Sequence, residues 1–212
     1  MKIIKPKYEI LTNITGDELK LIELAGRTCY KSENNITDES ARKFVKNIIS
    51  RGHEAMLEHS ILSVKFICDR GISHELVRHR LASFAQESTR YCNYSKDKFG
   101  NEITVIKPYF FEDGSDKYKH WYMGCMDAEN AYFNLLQAGA TPQEARSVLP
   151  NSLKTEIVVT MNYREWRHFF KLRAARSTGP AHPQMEELTR PLLEELKKLI
   201  PIVFDDIIVI KD

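Results

Sequence analysis

Glycine is scarce in this chain, nine residues in 212. None falls into the GxGxxG or GxxxxGK(S/T) spacing that cradles phosphate with backbone amides. A Rossmann or P-loop nucleotide site is therefore unsupported. The GxSxG elbow of a hydrolase serine is missing too. Four cysteines, Cys29, Cys68, Cys92 and Cys125, form no CxxC pair. That argues against a cysteine zinc site and a disulfide framework, and the reduced cytoplasm is the expected compartment. No run of about 18 apolar residues exists to cross a membrane. The opening MKIIKPKYEI carries charges inside its short apolar run and does not read as a signal peptide. An excess of one charge is also lacking: Lys+Arg is 31 and Asp+Glu 29, net +2. Bulk attraction to nucleic acid or membrane is not expected, and any basic site must be local.

What is present suffices for a real core, with 42% hydrophobic residues. KIIKPKYEIL reads as a strand. A helix is expected from Asp17 to about Arg27. A second, capped by Thr37 or Asp38, places Ala41, Phe44, Val45, Ile48 and Ile49 on one stripe and stops at Gly52. ILSVKFIC alternates, so Leu62, Val64, Phe66 and Cys68 share one strand face. Ser73 can cap a helix that runs on into RHRLASFAQESTRYC. The stretch from Tyr94 to Lys119 reads as loop and short pieces, and helix signals return from Trp121 to Ala138. Thr141, Pro142 and Glu144 form a capping box. TEIVVTM is a buried-strand candidate. Asn162, with Glu165 three residues on, caps the helix NYREWRHFFKLRAAR. A last helix spans about Pro183 to Ile200, bent at Pro191, and IVFDDIIVIK closes with a strand. One α+β domain over residues 1–212 is the simplest organisation.

HEAMLEH tempts a metal reading. On an α-helix His53 and His59 stand about 240° apart and cannot share an ion. The plain alternative is a helix-to-strand connection with solvated Glu54 and Glu58. The basic stretch carries more. On a helix Arg78 and Arg80 diverge by about 200°, whereas Arg80, Ser83, Glu87 and Arg90 stay within about 80° if the helix continues. Guanidinium forks and serine hydroxyls bind phosphate oxygen well. The physical reading is a polyanion pocket for more than one phosphorylated ligand. The alternative is a solvated face on which Glu75 and Glu87 pair the arginines.

RHRLASFAQESTR fits, position for position, the RHRxxSxxxxSxR signature of the flavin-dependent thymidylate synthases. GHEAMLEH, EARSVLP, NYREWRHFFKLR and HPQME resemble further blocks of that family in the right order, so the resemblance spans roughly residues 20 to 200. It implies an α+β fold with a mixed or antiparallel sheet flanked by helices. It implies a homotetramer with FAD between subunits; the balanced charge and lack of a long apolar run lead to the expectation of neither nucleic-acid nor membrane partners. The implied reaction is methylation of dUMP to dTMP, with methylenetetrahydrofolate supplying the carbon and NADPH the electrons. Carried over, Arg78, His79, Arg80 and Gln86 contact FAD, helped by His53, Glu58, Asn162, Arg164 and His168. Arg78, Gln86, Glu87, Ser88, Thr89 and Arg90 line dUMP, its phosphate falling to Ser88, Arg90 and Arg146, with Glu75 near the ribose. Arg173 sits by the uracil and favours its N3-deprotonated form. Three positions depart from the common pattern: Glu75 replaces a glutamine, His168 an asparagine, and Ala55-Met56 a Thr-Pro pair. Cys92 has no adjacent base and reads as incidental.

Two rivals stand beside this reading. A nucleic-acid module would use Arg78, Arg80 and Arg90 with stacking on Tyr91 and Tyr94. A metal-dependent hydrolase would use His53, Glu54, Glu58 and His59.

Overall fold

The computed structural model describes residues 1–210, Lys98 by its backbone alone. In chain order the elements are β1 (Lys2–Ile4), β2 (Lys7–Ile10), α1 (Asp17–Tyr30), α2 (Ser40–Ser50), β3 (Ile61–Asp69), α3 (Arg70–Leu76), β4 (Ala82–Gln86), β5 (Thr104–Ile106), α4 (Asp116–Gln137), α5 (Pro142–Ala145), β6 (Lys154–Asn162), α6 (Tyr163–Arg173) and α7 (Pro183–Leu199). Short 3-10 turns lie at Glu33–Asn35, Glu54–His59, Asp97–Phe99 and Arg146–Val148. Four strands form one open antiparallel sheet in the order β2-β3-β6-β4. β1 and β5 pair in parallel as a separate ribbon, Lys2 opposite Thr104. The architecture is α+β, as expected.

The chain divides into two compact units. The first combines Met1–Lys7, Phe66–Arg78 and Phe84–Val158. Its core gathers Tyr94, Ile103, Val105, Cys125, Tyr132, Ala145 and Leu153. Glu129, buried on α4, accepts from the Ile103 N–H at 2.9 Å and so ties the loop before β5 to that helix. The second unit combines Tyr8–Lys65, His79–Ser83 and the segment from Val159. Here α6 supplies the centre: Trp166, Phe169 and Phe170 are fully buried, with Trp166 stacked on Phe170 at 5.6 Å. The Trp166 indole donates to the Leu62 carbonyl at 2.9 Å, so its one polar atom is satisfied.

Strand alternation is realised as the pattern predicts. Leu62, Val64, Phe66 and Cys68 are all fully buried on β3, as are Thr155, Ile157, Val159 and Met161 on β6. α2 ends at Ser50, and the chain turns away two residues on at Gly52, whose φ of 73° suits glycine. Other expectations change. KIIKPKYEIL is two strands in different sheets, interrupted at Pro6, which has no N–H for a ladder. Neither Thr37 nor Asp38 caps α2; Ser40 Oγ instead accepts from the Thr37 N–H at 2.9 Å. Ser73 is inside α3, its hydroxyl donating to the Arg70 carbonyl at 2.9 Å. The cap is Asp69, which accepts from the Ile72 N–H at 2.7 Å. The helix expected to enter the basic stretch stops at Leu76 and does not continue to Arg90; β4 follows. Arg80, Ser83, Glu87 and Arg90 therefore share no helical face. β5 is only three residues long and escapes the alternation signal. Residues 202–210 contain no strand; Lys211 of the expected closing strand lies outside the described residues.

That final segment is held by charge instead. Arg167 of α6, 1% exposed, donates both terminal nitrogens to Asp206, Nη1 at 2.6 Å and Nη2 at 2.7 Å. It also donates to Glu54 at 2.9 Å and to the Val203 carbonyl. Removing one partner of a buried ion pair strands the others. Arg167→Met should therefore destabilise the protein by about 3 kcal/mol in urea unfolding. It should also expose residues 202–210 to limited proteolysis before the rest of the chain.

Candidate functional site

Two polar groupings emerge, one in each unit. In the second unit β6 hands directly to α6. Asn162 Oδ1 accepts from the Glu165 N–H at 2.8 Å, so the cap expected from sequence is present. α6 buries its aromatic face and leaves Arg164 and His168 exposed on the other, while Arg173 is half-buried at its last turn. Arg164 pairs with Glu58, which brings two expected cofactor residues together. A cavity of about 430 Å³ is bounded by Leu81, Asn162, Arg164, His168 and Lys171, with Glu54 and Glu58 on its acidic side. His53 is exposed at the head of the 3-10 turn.

His79 is the buried member of this grouping, 5% exposed between exposed Arg78 and Arg80. Its Nδ1 lies 3.2 Å from Glu165 Oε1, and its Nε2 accepts from Arg173 Nε at 3.2 Å. Phe169 packs edge-on at 4.9 Å and His168 at 5.9 Å. Burial, the Arg173 guanidinium and His168 together push His79 down to about 4. Burial also raises the Glu165 carboxyl, partly offset by His168. Arg173 is half-buried, and its carbonyl accepts from Thr189 Oγ1 at 2.7 Å, tying the end of α6 to α7.

In the first unit the residues after β4 turn onto α5. Arg146 donates to Thr89 Oγ1 at 3.3 Å, and Arg90 donates to Gln143 at 3.4 Å while lying over the Tyr91 ring. Ser88 Oγ accepts from the Arg90 N–H at 3.3 Å. A cavity of about 460 Å³ is lined by Arg70, His74, Thr89, Gln143 and Arg146. The capping box of α5 is formed: Glu144 accepts from the Thr141 N–H at 2.8 Å, which fixes where Arg146 starts. Gln86 donates its amide to Ser73 at 2.9 Å and Thr155 at 3.2 Å.

Not every expected residue joins these groupings. The Glu87 side chain turns to Lys154, at 3.0 Å, into a different cavity with Tyr94 and Glu102. Glu75 is half-buried in the last turn of α3. His53 and His59 are joined by a 3-10 turn rather than an α-helix; at about 2 Å rise per residue they are still too far apart for one ion. Among the described residues, His79, Glu165 and His168 are one group with ligand atoms within 4.8 Å of one another, but both His79 nitrogens face protein partners there. Sequence reading passed over Arg70, His74 and Gln143. Arg70 and His74 lie in α3, whose spacing of four to Arg70 places them on one face, a signal that was available.

The thymidylate synthase complementing protein family matches residues 10–202. A flavin-dependent thymidylate synthase of Corynebacterium aurimucosum is 35% identical over 204 residues, covering 88% of this chain and 78% of that protein. One of Pyrococcus furiosus is 32% identical over 195 residues, covering 89% and 78%. Among solved structures, the UMP/dUMP methylase PolB of Streptomyces cacaoi, bound with 5-Br dUMP, is similar in fold. Its TM-score is 0.77 at 21% identity, covering 97% of this chain and 96% of that one.

The low His79 pKa has a signed consequence. Between the unfolded value of 6.5 and about 4, the unfolded chain binds a proton at this position that the native chain does not. Stability contributed by His79 is thus present above 6.5 and declines as pH falls toward 4. Imidazole NMR should show His79 neutral at pH 5.5, and Arg173→Met should raise its titration point.

Proposed function

We propose, for a chain that belongs to the flavin-dependent thymidylate synthase family, that it methylates dUMP to dTMP with residues 78–90 serving both nucleotide and flavin. The observation that carries the residue assignment is the exposed pair Arg78 and Arg80 on either side of a buried, fully engaged His79. Two guanidinium groups held outward by a fixed centre suit phosphate groups that no glycine loop can cradle. Methylenetetrahydrofolate supplies the carbon and NADPH the two electrons that reduce it to a methyl group. FAD, when bound, supplies the hydride-transfer chemistry.

The donor set fits that cofactor. Arg78, Arg80 and Arg164 are cationic and exposed, suited to a pyrophosphate, and Leu81, 72% exposed, offers an apolar wall beside Asn162 and His168. His53 and Glu58 extend the same rim, Glu58 by orienting Arg164. In the first unit, Arg146, Arg90 and Ser88 hold the dUMP phosphate, with Thr89 orienting Arg146. Gln86 has both amide hydrogens committed to Ser73 and Thr155, which directs its carbonyl oxygen to act as acceptor. Glu75 accepts from a ribose hydroxyl. Glu87 serves by its backbone, since its carboxylate is paired with Lys154. Arg173 stabilises the N3-deprotonated uracil, which raises electron density at C5 without an enzyme nucleophile.

The whole chain acts as one catalytic domain and assembles as a homotetramer with FAD between subunits. Val77, Leu81 and Tyr91 are 41%, 72% and 77% exposed in the single chain, side chains that a neighbouring subunit would cover. Among the described residues no helix is long and apolar enough to cross a membrane; with the balanced charge, this supports a cytoplasmic enzyme without nucleic-acid or membrane partners.

The test is thymidylate formation by purified protein supplied with FAD, NADPH, methylenetetrahydrofolate and dUMP; no product under anaerobic conditions overturns the reading. Arg90→Ala and Arg146→Ala should each weaken dUMP about tenfold or more, with flavin affinity changed less than about twofold. Equal loss of both ligands would show the phosphate to be misassigned. Cys92→Ser should keep its turnover.

A further inference from the structure

The buried carboxylate of Glu165 stands outside every role assigned so far. Asn162-x-x-Glu165 is a capping-box sequence, in which the glutamate should reach back to the N-cap amide. In α5 the equivalent Glu144 does so, at 2.8 Å from the Thr141 N–H. In α6 Asn162 performs its half of the cap, but Glu165 is directed away from it and lies against His79, 8% exposed. A carboxylate that leaves solvent and a free cap position is held there by something specific.

We infer that Glu165 is a positioning residue, which through His79 sets the orientation of the Arg173 guanidinium. The hydrogen-bond arithmetic leaves one arrangement. Arg173 Nε carries a hydrogen and offers no lone pair, so His79 Nε2 must be the unprotonated nitrogen. The neutral ring then carries its hydrogen on Nδ1 and donates it to Glu165 Oε1. Removing the carboxylate frees Nδ1–H to move to Nε2, where it would point at Arg173 Nε–H. Arg173 Nε then loses the His79 acceptor that helps set its angle. The relay therefore runs Glu165 to His79 to Arg173 and involves no net charge transfer. Phe169, edge-on at 4.9 Å, keeps the ring from rotating out of this line. His168, at 5.9 Å, and the sequence neighbours Arg78 and Arg80 are the other groups able to carry charge around His79.

The inference rests on the reading that Arg173 acts on uracil, and its test separates the two. Imidazole nitrogen shifts of histidine-labelled protein, assigned with His79→Gln, should show Nδ1 protonated and Nε2 bare in the unliganded wild type. Nε2 protonated there overturns the relay even where no variant folds. Glu165→Leu should shift the tautomer toward Nε2–H and lower kcat roughly ten- to a hundredfold, with the dUMP KM within about twofold. Glu165→Gln, whose amide oxygen still accepts from Nδ1–H, should recover most of kcat. A purely helix-capping role would leave both variants alike and the tautomer unchanged. An unaltered kcat in Glu165→Leu with an inactive Arg173→Met sinks the relay alone. Full activity in Arg173→Met sinks the assignment of Arg173 itself.

Discussion

Arg167 is the constraint on which the second unit depends. A guanidinium at 1% exposure is tolerable only if its donors are matched, and here two carboxylates and a carbonyl match them. The contact joins three distant stretches: the 3-10 turn with Glu54, α6, and the final segment with Asp206. Glu54 lies one residue after His53 and four before Glu58. The family's GHE segment is therefore fixed to α6 through a structural arginine, not through the ligand. Its glutamate is committed to Arg167, with Lys171 at 3.5 Å. That is also why the hydrolase alternative loses its acidic residues: Glu54 and Glu58 are each neutralised by an arginine.

α6 turns that anchorage into function because its two faces have opposite demands. Trp166, Phe169 and Phe170 fill the core and cannot rotate, and Asn162 fixes where the first turn begins. With start and phase set, Arg164 and His168 follow at i and i+4, and Arg173 falls at the last turn. Thr189 of α7 bonds the Arg173 carbonyl, so the end of the helix is held as well as its start. A site built from side chains on a packed helix needs no glycine loop, which agrees with the scarcity of glycine.

The parts of the fold with a strong period were legible in the residues alone. β3, β6, α2 and α6 follow from alternation or from a 3.6-residue stripe with a recognisable cap. The stretch from Arg78 to Arg90 was not. Its serines and charged residues carry no period, and three donors at the end of a helix look like more helix. β4 is a strand because Ala82, Phe84 and Gln86 are half-buried while Ser83 and Ala85 face solvent, a pattern too weak to see without its neighbours in the sheet. The motif named candidate residues, while the helical geometry expected for them was wrong. Ligand-binding residues are matched by spacing, whereas their partners are set by tertiary contact. Hence Arg146 with Thr89 and His79 with Arg173 could be named singly but not paired. Glu87 is the reverse case: a motif position whose carboxylate pairs with Lys154.

The alternation of charge in Arg78-His79-Arg80 has a physical reason once the pairings are known. A protonated His79 would place three adjacent cations in the chain and a fourth, Arg173, at hydrogen-bond distance. Desolvation, Arg173 and His168 all act against that state, and the titration point falls to about 4. Neutrality lets the imidazole accept from a guanidinium, which an imidazolium cannot do. A lysine or arginine in its place would have no acceptor to offer. An asparagine or glutamine could offer one but lacks a rigid ring for Phe169 to clamp. Histidine is thus the residue that can be buried, uncharged and two-sided at once. The cationic neighbours that would otherwise repel it face outward.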